Sequence, residues 1–184
     1  MGAFLRVAFT LIAIMGTVLA PAMTLAQEPA KPATSAPAAE KPADVKKFDD
    51  WQVACGIPKG GSKKVCQAVQ TLTSDKDGKR VMQIMVGYPD SNADPVAVFI
   101  LPLGYLLQQG AKLSLDDKEI GALGAERCLQ TGCLVPVILD KDMLAKFKAG
   151  TSGKVAVKVS KEQTIDLPVS LKGFSSAMAE LKKG

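Results

Sequence analysis

Histidine is absent from the 184 residues. That excludes Ser-His-Asp and Cys-His nucleophilic catalysis and any imidazole-ligated metal site. Aromatic residues are scarce at 5%, with one Trp and two Tyr, so no basic stripe interleaved with aromatics is present to argue for nucleic-acid binding. Long apolar runs are confined to the N-terminus, at Val7 to Leu19. No later stretch is apolar over the ~20 residues that a spanning helix needs.

That one apolar run follows a single basic residue, Arg6, and leads through small residues to Thr24 and Ala26, which suit the minus-three and minus-one positions of a cleavage point before Gln27. This is the layout of a secretory signal peptide, residues 1–26. No Cys follows the run as an acceptor for lipid. Cleavage removes Arg6 alone among charged side chains and lowers the formal net charge from +5 to +4. The location expected is the periplasm, with outer-membrane association at the periphery or secretion as further destinations. Residues 27–46 hold four prolines and many alanines and are expected to form a disordered Pro/Ala-rich linker. A single folded domain is expected over 47–184.

In an oxidising compartment the four cysteines are expected to pair. Three connectivities exist, and the spacing favours Cys55 with Cys66 and Cys128 with Cys133, each across a turn. Zinc is disfavoured, because intervals of ten and four residues are not those of zinc knuckles. No cofactor is expected. Asp90, Asn92 and Asp94 have the spacing of a calcium loop, but Pro95 and Leu101 stand where Gly and a bidentate Glu belong, so an Asx-rich turn is expected.

Alternation of Trp51, Val53 and Cys55 with polar or small residues predicts a strand, paired after a loop holding Pro58 and the double glycine Gly60-Gly61 with Val65 to Thr73. Arg80 to Val86 and Val96 to Leu101 are apolar on both faces, as strands in the middle of a sandwich are. Pro136 cannot donate a ladder bond and marks its strand as an edge or a bulge. Asp140 is a helix N-cap candidate before Met143, Leu144 and Phe147, with Gly150 as the stop. Residues 155–159 and 165–169 alternate as a hairpin with one wet face. Ser170 is expected to cap a last helix whose stripe, Leu171, Phe174, Met178 and Leu181, either packs on the sandwich or forms a partner surface.

Four segments carry a resemblance: Phe48-Asp49-Asp50-Trp51 with Cys55; Leu101-Pro102-Leu103-Gly104 with Leu107 and Gly110; Cys128 with Gly132-Cys133; and Pro168 to Phe174. In this order they resemble the invasion-associated locus B family, over about residues 48–182. The resemblance implies an exported protein with an immunoglobulin-like β-sandwich, and the residues themselves add disulfide-stapled hairpins and one or two short helices. It supplies no catalytic residue. The function expected is that of a non-enzymatic envelope protein, a binding or structural module contributing to host-cell interaction, with an envelope or host-surface protein as its unidentified partner. The alternative is a periplasmic thiol-disulfide enzyme using Cys128 and Cys133, whose spacing departs from the usual redox motif.

Overall fold

The computed structural model of the protein describes residues 44–183 apart from 59, 91 and 92. The expected signal peptide, linker residues 27–43 and the centre of the Asp90 to Asp94 turn lie outside the described residues. In chain order the elements are β1 (Asp44–Phe48), β2 (Trp51–Gly56), β3 (Val65–Thr73), β4 (Arg80–Gly87), β5 (Val96–Leu101), β6 (Ala111–Leu115) and β7 (Lys118–Leu123). There follow β8 (Arg127–Leu129), β9 (Gly132–Ile138), α1 (Lys141–Ala149), β10 (Ser152–Lys158), β11 (Thr164–Ser170) and α2 (Phe174–Leu181).

The strands form a sandwich of two antiparallel sheets, the all-β architecture expected. The larger has seven strands in the order β1-β2-β3-β4-β5-β9-β8; the smaller has four, β11-β10-β6-β7. Side chains alternate across each strand, so one set of each strand fills the space between the sheets. From the larger sheet these are Trp51, Val53, Ala68, Met82, Ile84, Val86, Ala97 and Phe99; from the smaller, Leu113, Leu115, Val155, Val157, Leu167 and Val169. The outer face of the smaller sheet is wet, with Lys112–Glu119 and Lys154–Asp166 ion pairs across its strands.

Seven strands overhang four, and α2 fills the overhang. It packs against β1, β2 and β3 and against α1. Phe174 meets Trp51 edge-on at a centroid distance of 5.0 Å and Phe147 at 5.5 Å, so the two helices close the end of the core. α1 starts where its sequence requires: the Asp140 carboxylate accepts from the Met143 N–H at 2.8 Å, satisfying one orphan donor of the first turn.

Two expectations about boundaries are corrected. The linker was expected to reach residue 46, yet β1 begins at Asp44 and pairs with β2 from Asp44↔Cys55 to Phe48↔Trp51. Its side chains are nearly all exposed, so it carries no apolar period. The backbone groups of β2 recruit it, and Lys46 pairs with Glu180 of α2 at 2.6 Å. Ser170 does not cap α2. It ends β11, and the helix begins at Phe174 behind Gly173, whose φ is 82°.

Candidate functional site

Ser170 is the point where the two sheets and the α2 segment are joined. Its N–H donates to Gln70 Oε1 at 3.0 Å. Its carbonyl accepts from Gln70 Nε2 at 2.8 Å and from the Trp51 indole N–H at 2.9 Å. Its hydroxyl donates to Asp50 Oδ2 at 2.5 Å and accepts from the Lys172 N–H at 3.2 Å. Gln70, itself only 8% exposed, supplies from β3 the two bonds that a neighbouring strand would supply. Asp50 reaches the seam because Asp49, at φ 50°, turns the chain from β1 into β2. Asp49 and Asp50 are thus the two residues of the hairpin turn between β1 and β2. Alongside it lies Gly173, where a Cβ would stand 1.9 Å from the Phe48 carbonyl oxygen.

The second notable surface is the outer face of the larger sheet. Because Met82, Ile84 and Val86 point inward, Met85 points out, in a lateral row with Val69, Val98 and Pro136. Val96 and Ile138 are paired in the row on one side, Ile100 and Leu134 in the row on the other. Ile138 is 66% exposed, and the rest of these residues are half-buried mainly by one another, apart from exposed Pro136 and buried Val69. The doubly apolar β4 and β5 do sit mid-sheet, but only one of their faces is core. Among the described residues no other element packs over the second face. β9 is also an edge past β8. The Leu134 carbonyl accepts from Glu126 on the β8 side, so Pro136, two residues on, turns its donor-less nitrogen to the open edge.

With both surfaces defined, comparison with known proteins places the chain. Residues 51–182 match the model of the Invasion associated locus B (IalB) protein family. The chain belongs to the IalB family. It is 31% identical over 137 residues to an invasion protein B homolog of Brucella abortus (strain 2308), covering 73% of this chain and 77% of that one. With invasion protein B of Bartonella bacilliformis it shares 31% over 135 residues, 71% and 70% of the two chains. The crystal structure of invasion associated protein b from Bartonella henselae superposes with a TM-score of 0.65 at 30% identity, covering 76% of this chain and 95% of the other.

Two of the segments that carry the IalB resemblance meet at the Ser170 seam: Phe48 to Trp51 lies against Pro168 to Phe174. A third brings Gly132 so close to β5 that a Cβ there would stand 2.5 Å from the Leu101 carbonyl oxygen. These residues are therefore bound up with packing. Cys55 is bridged to Cys66 and Cys128 to Cys133, each pair directly opposed across neighbouring strands. Cys128 is exposed on β8 and Cys133 buried on β9, and neither lies at a helix N-terminus, where a thiolate would be favoured.

Of the two alternatives for the last helix's stripe, the structure shows packing on the sandwich. Leu171, Phe174, Met178 and Leu181 are 5%, 0%, 1% and 6% exposed. Burying them against Trp51 and Phe147 closes the core, so α2 as seated turns no apolar face outward there. Among the described residues no group of three or more metal-ligating side chains is assembled. The sequence reading missed Gln70 and the open sheet face. The signal for the face lies in the doubly apolar strands β4 and β5, whose two faces look alike in sequence.

Proposed function

We propose that this chain is an exported, non-enzymatic protein of the cell envelope, acting in the periplasm or at the outer membrane as a binding module in host-cell invasion or envelope organisation. The observation that carries this reading is family membership joined to the chain's anatomy. Its relatives are named invasion proteins, its bridges staple hairpins, and among the described residues its large uncommitted surface is apolar sheet rather than a cleft with convergent polar groups. A disulfide that locks β8 to β9 has the character of a staple, which favours the binding module over a thiol-disulfide enzyme. The implied partner is a protein of the envelope or of the host surface.

The test combines compartment and phenotype. Cells are fractionated under thiol-labelling conditions, and a deletion strain is assayed for envelope integrity and for host-cell adhesion and entry. The expected result is a protein in the periplasmic or membrane fraction with all four cysteines unreactive, and a deficit on deletion in at least one assay. Recovery in the cytosol with reactive thiols, or a deletion without effect on any of the assays, would overturn the reading.

A further inference from the structure

We propose that the outer face of the larger sheet is a self-association surface, covered by the same face of a second copy of this chain. The central apolar row spans four strands, β3, β4, β5 and β9, and the flanking rows add Val96 with Ile138 and Ile100 with Leu134 on β5 and β9. At ~4.8 Å between strands and ~3.3 Å per residue, alternate residues facing out, these side chains cover roughly 250 Å², a contiguous apolar patch with no element of the fold over it. Two sheet faces of this kind pack on each other as the layers of a sandwich do.

The charges at the two ends of the patch select the occupant. Arg80 begins β4 at one end, where its guanidinium lies over the outer-facing Gln83 and bonds to Gln83 Oε1 at 3.2 Å and to the Thr131 carbonyl at 3.0 Å. Arg127, in register with outer-facing Leu134, stands at the same end. At the other end are the exposed Asp90, Asp94 and Asp140. Arg80 and Asp90 lie five residues either side of Met85 in the chain. A two-fold axis in the interface, perpendicular to the strands and through the Val69–Met85–Val98–Pro136 row, sets β4 antiparallel on β4 of the second copy. It lays the Arg80 end of each copy on the Asp90 end of the other, and Arg127 toward Asp94 and Asp140. The β3–β4 turn at the Arg80 end carries both signs, with Asp77 paired to Lys79, Glu126 adjoins Arg127, and Lys141 adjoins Asp140 at the other end, so the complementarity rests on the Arg80–Asp90 pair, met twice under the symmetry commonest among oligomers. An axis along the strands would instead set acid on acid.

Strand addition at the open side of β9 does not compete with this mode. Pro136 removes a donor from the open side of β9, which blunts strand addition there. With about 500 Å² of apolar face covered over two copies, the apolar centre of the interface is smaller than a stable specific complex buries in total, so a weak, concentration-dependent monomer–dimer equilibrium is expected.

Sedimentation of the exported chain over a wide concentration range tests the proposal, with Val98→Arg as the first variant. The parent should dimerise, and Val98→Arg should weaken the dimer ~10-fold or more while leaving the thermal melt of the monomer intact, since the side chain points outward. Arg80→Glu and Asp90→Arg should each weaken the dimer, and the double variant should recover at least part of the loss. A parent that is monomeric throughout overturns the proposal. So does a dimer indifferent to Val98→Arg, or a charge pair whose single losses add without recovery. Because these readouts concern association alone, they can fail while the envelope function stands, and the reverse.

Discussion

Gln70 and Ser170 are hydrogen-bonded to each other twice, the carboxamide of one matching the backbone N–H and C=O of the other at 3.0 and 2.8 Å. They lie 100 residues apart in the chain, on different sheets. Both bonds are part-buried, so deleting the carboxamide leaves the Ser170 N–H without a partner while its carbonyl retains the Trp51 donor. Gln70→Leu should therefore cost about 2–3 kcal/mol. Urea unfolding checks this as a lower midpoint at unchanged slope. A midpoint equal to that of the parent would mean that the seam contributes nothing.

Gly173 is held against the β1–β2 turn with φ at 82°, and a Cβ on it would lie 1.9 Å from the Phe48 oxygen and 2.6 Å from the Phe48 carbonyl carbon. Left-handed backbone alone costs a residue with a side chain ~1–3 kcal/mol, and here the neighbour is backbone that cannot rotate away. Gly173→Ala should cost more than about 3 kcal/mol and loosen α2 together with β1. Hydrogen exchange would show this as lost protection in both elements. Loss confined to α2 would mean that the turn and the helix are not coupled.

Much of this fold is written locally. The alternation in β2, β3 and β10, the Asp140 cap and the Gly150 stop of α1, and the edge character of Pro136 are each decided by residues within a few positions of one another. What local pattern does not carry is anything decided by a distant surface. β1 is a polar pentapeptide that becomes a strand because β2 has a free edge. Ser170 looks like a cap because it precedes an apolar helix, yet it is claimed by Gln70 and Trp51 from the other sheet. The two apolar faces of β4 and β5 are visible in sequence, but which face is core depends on the smaller sheet, which covers only one of them.

The two disulfides close loops of different length, with sequence separations of 11 for Cys55–Cys66 and 5 for Cys128–Cys133. Restriction of the unfolded chain grows with loop length, giving about 3 kcal/mol for the first and about 2 for the second. Replacing each pair by alanine should reproduce that order in chemical unfolding under oxidising conditions. The more accessible member of each bridge decides its attack by a reductant: Cys128 is exposed, whereas Cys66 is half-buried. Titration with a thiol reductant on the native protein should accordingly open Cys128–Cys133 first, read by mass after alkylation. The reverse order, or equal stability losses, would contradict the account.

Asp116 closes the β6–β7 hairpin with φ at 44°, followed by Asp117 at 61°, the left-handed pair that a two-residue primed turn requires. Its Oδ1 accepts from the Ser152 N–H at 3.0 Å and from the Thr151 N–H at 3.0 Å, tying that turn to the start of β10. Those two donors, that of Ser152 first, hold the carboxyl below its ordinary range, and the charge of Lys118 adds to the effect. A carboxyl lowered on folding stabilises the native chain fully above its unfolded value, about 4, and the contribution is lost as pH falls through the lower folded value. Asp116→Asn keeps the shape and tolerates the same turn, but removes the charge. The variant should be less stable than the parent at neutral pH, and the gap should narrow as the solution is acidified below about pH 4. Asp77 and Glu180 are also lowered, but both are retained in the variant and cancel in the difference. Urea midpoints of parent and variant measured against pH decide it, and a gap that does not change with pH would show that the carboxylate charge is not what ties the turn to β10.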